Sequence, residues 1–301
     1  MPSTLKMQGT SEVCHTQSAM IQLGEPQLLD ERHAGEVLSF LGARPLSGLF
    51  LRGYIEDNGF DRRLNRGDFF GVRNCVGELE AVGLIGHATL FEAKTSASLV
   101  ALASAAHTHD AIHMLLGPHD DVQQFWKSLS RNGRTARSSC RELLFTKKEE
   151  AAYLGDIPAL RAARPSDIDL LLPVHAEMAR GESGVNPLEI DPEGFRSRYL
   201  RRIKNDRVWV LIHNDRLVFK ADVALQTSNA TYLEGIYVAP ELRGRGCGKE
   251  CLSALSEILL KRVSSVSLLV NEQNFGAQKM YRSAGFSFEG YYQSVFLQPP
   301  N

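Results

Sequence analysis

The sequence predicts an α/β (α+β) fold that is built from two successive halves. The chain has 301 residues, about the length of two average domains. Both halves show the same order of patterns: two helices, a strand pair, a helix, a strand, a helix and a strand. In the second half, a strand at 231–238 runs into a glycine-rich turn and then a helix. We therefore expect two domains, each with a sheet flanked by helices.

The composition is that of an ordinary globular protein, with 43% hydrophobic and 23% charged residues. The formal net charge is −1 and no block of like charges occurs, so neither nucleic acid nor a membrane surface is expected as a partner. No apolar run approaches the roughly eighteen residues of a membrane span, and the first residues lack the apolar core of a signal peptide. The five cysteines are scattered without a Cys-x-x-Cys pair, which favours reduced thiols. These features predict a cytoplasmic protein.

Changes of pattern divide the chain into four segments. Residues 1–25 are polar and aperiodic and are predicted to be a disordered leader. The charged stretch 148–156 is predicted to be a linker between units at 26–147 and 157–301. In the first unit we expect helices from Gln27 to Leu41 and at 49–55, 97–106 and 122–129, and strands at 68–75, 79–90, 112–116 and 142–146. In the second unit we expect helices at 167–179 and 192–203, a helix of about sixteen residues after Gly248 and a helix within 274–286. Strands are expected at 160–163, 207–213, 217–226, 231–238, 266–270 and 286–297.

The turn after the strand at 231–238 has the features of a phosphate-binding loop. The first turn of a helix has N–H groups without intrahelical acceptors and carries the positive end of the helix dipole, so it attracts anions. Glycines at 244, 246 and 248 would let a phosphate approach without obstruction by a Cβ atom. Cys247 is interpreted as a small residue that contributes its N–H rather than as a nucleophile. The turn therefore predicts a phosphate or pyrophosphate ligand.

Two common phosphate motifs do not fit this turn. A P-loop needs Gly-x-x-x-x-Gly-Lys-Ser/Thr, but the residue five positions before Gly248 is Arg243, and Lys249 is followed by Glu250. A dinucleotide fingerprint needs Gly-x-Gly-x-x-Gly and an acidic residue about twenty positions later. The glycines here alternate strictly, and no acidic residue ends a following strand at the required distance.

The pattern that fits is Arg-x-x-Gly-x-Gly after a strand ending in Val-x-Pro. It resembles the coenzyme A loop of the GNAT N-acetyltransferase superfamily. A second motif lies after the strand at 266–270, where Asn274 to Phe286 resembles the Asn-x-x-Ala-x-x-x-Tyr-x-x-x-Gly-Phe signature of the same superfamily. Because both motifs occur in the expected order and at the expected distance, the second half is identified as a member of this superfamily.

The resemblance implies a tandem protein with a degenerate GNAT-like N-terminal domain of unknown function. Each domain would contain a central mixed, mostly antiparallel twisted sheet flanked by helices. The first half has Phe91-Glu92-Ala93-Lys94-Thr95 where a coenzyme loop would need Arg-x-x-Gly-x-Gly, and 120–134 lacks the Tyr and the Gly-Phe of the second motif. We therefore expect that only the second half binds acetyl-CoA.

The resemblance also assigns roles to individual residues. Arg243 and the N–H groups of 245–249 would hold the pyrophosphate, and the backbone around Ile236 would pair with the pantetheine arm. Tyr281 matches the general acid that protonates the coenzyme A thiolate, and Asn274 matches a residue that contacts pantetheine or caps the helix. The implied coenzyme-binding residues are Ile236, Tyr237, Val238, Arg243, Gly244, Arg245, Gly246, Cys247, Gly248, Lys249, Asn274 and Tyr281.

Glu234, within the strand that splays from its neighbour in the family, is the first candidate for the general base. Glu177, Glu182 and Glu193, on or near the helices expected beside the acceptor site, are the alternatives. A separate group of histidines lies at 107–119 in the first half. Because no Cys or carboxylate completes a tetrahedral set around them, a solvated loop is the preferred interpretation over a metal site.

These features lead to a prediction of function. The resemblance implies an N-acetyltransferase that moves an acetyl group from acetyl-CoA to a primary amine, of a small molecule or a protein, by direct attack and without a metal. The alternative is a non-catalytic acyl-CoA-binding sensor, although such a module has no need of the Tyr281 acid. A monomer or homodimer is expected, and the sequence does not identify the acceptor.

Overall fold

The structure is a computed structural model that describes residues 22–45, 47–109, 112–148 and 159–298. Most of the predicted linker and most of the predicted leader lie outside these ranges, so the domain boundaries remain predictions. The end of the predicted leader does contact the fold. Leu23 forms a β-bridge with Asn74, and the N–H of Gly24 donates to the carbonyl of Arg73 at 2.8 Å.

The N-terminal half begins with short helices and continues with alternating strands and helices. Within the described residues its helices are α1 (Ala34–Gly42), α2 (Leu49–Asn58), α3 (Arg62–Asn65), α4 (Ser96–His107) and α5 (His119–Arg131). Its strands are β1 (Gln27–Leu28), β2 (Gly67–Arg73), β3 (Leu79–Gly86), β4 (Ala88–Ala93), β5 (Met114–Pro118) and β6 (Ala136–Lys147).

Two boundaries predicted for this half are wrong. The helix expected from Gln27 begins at Ala34, because Gln27 and Leu28 pair with β2 and a 3-10 turn capped by Asp30 follows them. The strand expected at 79–90 is divided into β3 and β4 beside Gly86. A Cβ atom at Gly86 would lie 2.4 Å from the Cα of Gly67, so glycine is required where these backbones approach each other.

The C-terminal half follows the predicted order of elements. Within the described residues its helices are α6 (Ile168–Ser183), α7 (Pro187–Ile190), α8 (Pro192–Lys204), α9 (Cys247–Leu260) and α10 (Phe275–Ser283). Its strands are β7 (Leu160–Ala162), β8 (Val208–His213), β9 (Arg216–Gln226), β10 (Ala230–Val238), β11 (Ser265–Asn271) and β12 (Ser287–Leu297).

The strands form one mixed, mostly antiparallel sheet that runs through both halves. Its order is β1-β2-β3-β4-β5-β12-β6-β11-β10-β9-β8-β7. The parallel neighbours among the described strands are β4 with β5 and β10 with β11, one pair in each half. The expectation of a central mixed sheet flanked by helices is confirmed, but the sheets of the two halves are continuous.

The two halves exchange their last strands. β6 of the N-terminal half pairs with β11, and β12 of the C-terminal half pairs with β5, while β6 and β12 also pair with each other. Phe145 of β6 is buried in the core beneath α9, and Val295 of β12 is buried beneath α4 and α5. Each half therefore needs a strand of the other to complete its sheet and its core.

Helices cover both faces of the sheet around β10. Leu233 of β10 packs on one face against α9 and α10, in a core that includes Leu252 and Leu255. The preceding residue, Tyr232, points to the opposite face, as alternation along a strand requires. There it contacts Phe50 of α2, with ring centroids 4.8 Å apart. Side chains of the N-terminal half therefore line the region in front of β10.

Candidate active site

β10 separates from β11 at the position where the coenzyme arm was predicted to bind. The two strands pair in parallel only along Ala230–Leu233, although β10 continues to Val238 and β11 to Asn271. The pairing of β10 with β9 has a bulge between Glu234 and Tyr237. Gly235 lies within this bulge at φ +58°, a conformation that favours glycine. The backbone of Ile236 to Val238 therefore borders an opening in the sheet.

The glycine-rich turn leads from this opening to the start of α9. Gly244 (φ +73°) and Gly246 (φ +90°) have left-handed backbone conformations, and Gly246 is the N-cap residue of α9. No side chain caps this helix. The N–H groups of Cys247, Gly248 and Lys249 are therefore those of an uncapped first turn, which lack intrahelical acceptors and attract anions.

Arg243 connects the turn to the end of β10. Its Nε–H donates to the carbonyl of Val238 at 2.9 Å, and its guanidinium lies 6.0 Å from the ring centroid of Tyr237. The side chain is exposed. A guanidinium has five N–H donors, so the remaining ones can reach an anion at the turn while the Nε–H holds the side chain in place.

Gly248 has a different function from the one that the sequence indicates. A Cβ atom at this position would lie 2.4 Å from Sδ of Met280 and 2.8 Å from Cγ2 of Val238. Gly248 is buried, whereas Gly244 and Gly246 are exposed. It therefore allows α9 to pack closely against β10 and α10, and the expectation that it gives an anion access from its Cβ side is wrong.

The second motif forms α10 and its two ends. Asn274 Oδ1 accepts a hydrogen bond from the N–H of Ala277 at 3.1 Å, so Asn274 caps the helix. At the other end Gly285 has φ +91°, and the N–H of Phe286 donates to the carbonyl of Tyr281 at 3.0 Å. The Asn and the Gly-Phe of the motif thus define the helix that carries Tyr281.

Tyr281 is buried, with 6% of its surface exposed, and packs against Phe145 of β6 and Phe286. Its hydroxyl makes no hydrogen bond within the part of the chain that the structure describes. Burial, followed by the nearby Glu182 carboxylate, raises the pKa of Tyr281 above its usual value. The phenol therefore stays protonated at neutral pH and can donate.

Glu234, the predicted base, is already paired. Arg202 of α8 donates a hydrogen bond to its carboxylate and forms an ion pair with it. The register of β10 places Glu234 opposite Asp222 of β9. Taking a proton from a substrate would therefore compete with the Arg202 contact.

Glu182, one of the alternatives, lies in the last turn of α6. Desolvation, followed by repulsion from the carboxylates of Glu234 and Glu142, raises the pKa of Glu182 to about 7. Glu182 is nevertheless exposed to solvent. A carboxylate with this pKa can exchange protons at neutral pH. Glu177 and Glu193, the other two alternatives, are also exposed.

Glu142 is a residue of this region that the sequence did not indicate. It belongs to β6, opposite Asn271 of β11, so the strand exchange brings it from the N-terminal half to the edge of the opening. Ser294 of β12 donates a hydrogen bond to its carboxylate. Burial raises the pKa of Glu142 above its usual value. Its position depends on a strand pairing that leaves no local signal in the sequence.

In the N-terminal half, the helix that follows the corresponding strand is α4, and its first turn is capped by side chains. Thr95 accepts a hydrogen bond from the N–H of Ser98 at 3.1 Å, and the Ser98 hydroxyl accepts one from the N–H of Thr95 at 3.1 Å. This capping box satisfies donors that α9 leaves open. The contrast supports the prediction that the N-terminal half does not bind acetyl-CoA.

The predicted histidine group does not form one cluster. His113 stacks on His87 with ring centroids 4.7 Å apart, and burial lowers the pKa of both. His109 and His87 instead line a cavity of about 450 Å³ together with three arginines.

Across the described residues, no group of three or more His, Cys, Asp or Glu side chains is arranged to hold a metal ion. In the same part of the chain, no helix has the length and apolar content needed to span a bilayer.

Comparison with protein families identifies the C-terminal half. Residues 179–286 match the acetyltransferase (GNAT) family, a range that includes the opening, the glycine-rich turn and Tyr281. The C-terminal half therefore resembles a GNAT acetyltransferase domain over this range. The sequence as a whole has no significant match among curated proteins.

Solved structures extend the likeness to the whole fold. A Drosophila protein superposes with a TM-score of 0.68 at 14% identity, covering 92% of this chain and 100% of that one. A GNAT-family acetyltransferase from Colwellia psychrerythraea gives a TM-score of 0.54 at 14% identity, covering 91% of this chain and 99% of that one. A tandem GNAT protein from the clavulanic acid biosynthesis pathway gives a TM-score of 0.51 at 14% identity, covering 93% of this chain and 100% of that one. The chain therefore has the two-domain fold of tandem GNAT proteins.

Proposed function

We propose that this protein is an N-acetyltransferase that transfers the acetyl group of acetyl-CoA to a primary amine of a small molecule or protein. The observation that carries the proposal is the arrangement around β10. An uncapped helix start lies at one end of the opening. On the helix that packs behind it lies a buried tyrosine whose hydroxyl has no hydrogen-bond partner among the described residues. A binding module needs the first feature but not the second.

The turn and the strand provide the binding surface for the coenzyme. Arg243 and the N–H groups at the start of α9 would hold its pyrophosphate. The unpaired edge of β10 from Ile236 to Val238 would hold the pantetheine arm by backbone hydrogen bonds. When bound, acetyl-CoA supplies the acetyl group as an activated thioester.

The side chains around the opening provide the proton transfers. Glu182 would accept the proton that the attacking amine releases, directly or through water, because its pKa of about 7 suits a base at neutral pH. The N–H of Ile236 would donate to the thioester carbonyl oxygen as negative charge develops there. The amine nitrogen bonds to the carbonyl carbon, the C–S bond breaks, and Tyr281 gives its proton to the departing sulfur.

The charges in front of β10 favour a cationic amine as the acceptor. Glu234 and Glu142, which belong to different halves of the chain, both raise the pKa of Glu182 through their negative charge. A protonated amine would be attracted to this group. It would lose its first proton to solvent water before it attacks, which leaves Glu182 free to accept the second.

Release of the free thiol tests the proposed activity. The wild-type protein is mixed with acetyl-CoA and a panel of diamines, aminosugars, amino acids and peptides, and the thiol is measured against time and against a sample without amine. We expect amine-dependent thiol release together with an acetylated product detected by mass spectrometry. Binding of acetyl-CoA without release on any amine of the panel would instead favour a sensor.

A further inference from the structure

Two fully buried charged residues lie beneath the bulge of β10. Lys220 and Asp222 alternate with apolar residues along β9, and both have 0% exposure. Lys220 Nζ lies 2.7 Å from Asp222 Oδ2, so the two form a buried ion pair. Neither residue has a role in the chemistry described above.

Residues of α6 and α8 surround the pair. The hydroxyl of Tyr199 donates to Asp222 Oδ1 at 3.2 Å, and Nδ1 of His175 lies 3.5 Å from Asp222 Oδ2. His175 stacks on Tyr199 with ring centroids 4.1 Å apart. Lys220 Nζ lies 5.8 Å from the centroid of the Tyr199 ring. The helices that cover this face of the sheet therefore hold the ion pair in one arrangement.

The ion pair also holds the bulge. Lys220 Nζ donates to the carbonyl of Gly235 at 2.9 Å. A Cβ atom at Gly235 would lie 2.8 Å from Lys220 Nζ and 2.8 Å from Asp222 Oδ2. Gly235 can therefore adopt its φ of +58° directly above the pair only because it has no side chain.

This contact fixes the direction of the neighbouring N–H. The peptide group between Gly235 and Ile236 is trans and planar, so its C=O and N–H point in opposite directions. The C=O points to Lys220, and the N–H of Ile236 therefore points away from it. Gly235 and Ile236 are not in register with residues of β9, and the pairing of β10 with β11 ends before them, at Leu233.

A buried ion pair is a poor way to gain stability, because desolvation can cancel the attraction between the charges. An apolar pair would fill the same space. We propose that Lys220 and Asp222 are positioning residues that hold the Gly235–Ile236 peptide so that the Ile236 N–H meets the thioester carbonyl oxygen. This inference rests on the proposed function, since it concerns how the acetyl group is bound.

The test replaces both charges together. In the Lys220→Met/Asp222→Leu variant no charge is left unpaired, so the variant is expected to fold, and a thermal melt checks this. Acetyl-CoA labelled with ¹³C at the carbonyl is bound to each protein, and the thioester C=O stretch is measured by difference infrared spectroscopy. Wild type is expected to lower this frequency relative to free acetyl-CoA, and the double variant is expected to lose at least about half of that shift, as misaligning a donor would produce.

Coenzyme A itself provides the control ligand, because it lacks the thioester carbonyl group of acetyl-CoA. Its dissociation constant is expected to stay within about threefold of wild type, whereas kcat on any active amine falls by about tenfold or more. Lys147→Met is the control variant, since Lys147 is a second buried lysine of the same sheet, hydrogen-bonded to Ser256 and Glu257. It is expected to leave the carbonyl shift unchanged.

A folded double variant that keeps the full carbonyl shift and kcat would overturn the proposal. Should the double variant fail to fold, Gly235→Ala keeps both charges and introduces a methyl group against them, and the same loss of shift is expected from it. A Gly235→Ala variant with the wild-type shift would equally overturn the proposal. Failure of the proposed function is distinguishable, because wild-type protein would then either not bind acetyl-CoA or bind it without releasing thiol to any amine.

Discussion

At the scale of single residues, Tyr281 has the most defined role in the account. Its hydroxyl lacks a hydrogen-bond partner in the described structure, and burial of the residue keeps the pKa of Tyr281 above the usual value. We expect Tyr281→Phe to lower kcat by about 10²-fold while the dissociation constant of acetyl-CoA stays within about threefold, because the change removes only a proton donor. Steady-state kinetics and calorimetry measure the two quantities. An unchanged kcat would assign Tyr281 to packing alone.

Two glutamates compete for the role of base, and their surroundings separate them. Glu182 has a pKa of about 7, whereas Glu234 is ion-paired with Arg202. We expect kcat/KM of wild type to rise as the pH increases through about 7, since Glu182 accepts a proton only when ionised. Glu182→Gln should remove this rise and lower the plateau by about 10²-fold. Pre-steady-state and steady-state rates between pH 5.5 and about 9 measure the effect.

The matched variant for this experiment is Glu234→Gln. It should lower the thermal stability, because Arg202 loses its partner, but retain the pH dependence of kcat/KM. A pH-rate profile that disappears in Glu234→Gln and persists in Glu182→Gln would assign the base to Glu234 instead.

The raised pKa of Glu182 also predicts how the stability of the wild type depends on pH. In the unfolded chain Glu182 loses its proton near the usual carboxyl pKa, whereas in the folded protein it keeps the proton up to a pH of about 7. The free energy of unfolding should therefore fall as the pH rises across that window.

The sequence reveals residues of the site when they belong to a local motif. Arg243, Asn274 and Tyr281 lie where their motifs place them, because each motif encodes a turn or a helix end. Glu142 and the Arg202–Glu234 pair could not be predicted in this way. Their contacts join elements far apart in the chain, and a single sequence carries no local signal for such pairings.

At the scale of secondary structure elements, α9 has both a binding end and a packing surface. Gly248 belongs to the packing surface, with its missing Cβ facing Met280 and Val238. We expect Gly248→Ala to lower the free energy of unfolding by about 1–3 kcal/mol, since overpacking forces the neighbours apart. Gly35→Ala is the control: this exposed helix position has nothing within 4 Å of a new Cβ. It should be neutral or stabilising by up to about 1 kcal/mol. Urea denaturation measures both, and a neutral Gly248→Ala would contradict the packing role.

The order of most elements could be predicted from periodicity, and the errors have physical causes. The segment from Gln27 has apolar residues that resemble a helix, but its first two residues pair with β2, and Asp30 caps a turn before the helix begins. Tertiary pairing overrides local propensity there. The break between β3 and β4 arises from the close approach of Gly86 to Gly67, which alternation of apolar residues does not reveal.

At the scale of the whole molecule, the strand exchange makes the two halves interdependent. β6 lies between β11 and β12, and β12 lies between β5 and β6. The repeated order of elements correctly indicates two GNAT-like halves, but it cannot show which strands are neighbours. Strand neighbours are determined by long-range contacts, and two halves with separate sheets would give the same sequence pattern.

The exchange predicts a single unfolding transition for the full chain. A protein cut between residues 148 and 159 would give fragments that each lack an interior strand of their sheet. We expect neither fragment to show a cooperative transition alone, and a mixture of the two to recover one. Circular dichroism during urea denaturation measures this, with the uncut chain as the reference. Two fragments that each unfold cooperatively would contradict the interdependence.

The binding of acetyl-CoA decides whether the turn before α9 is a coenzyme site. Isothermal titration compares wild type, the Arg243→Ala/Gly246→Trp variant and Gly133→Trp, which places the same bulky residue at a left-handed glycine (φ +82°) outside the site. We predict that wild type and Gly133→Trp bind equally, and that the double variant binds at least about tenfold more weakly, because it loses charge-assisted contacts and blocks the start of α9. Equal affinity of all three proteins, or no binding by wild type, would contradict an acetyl-CoA site at this turn.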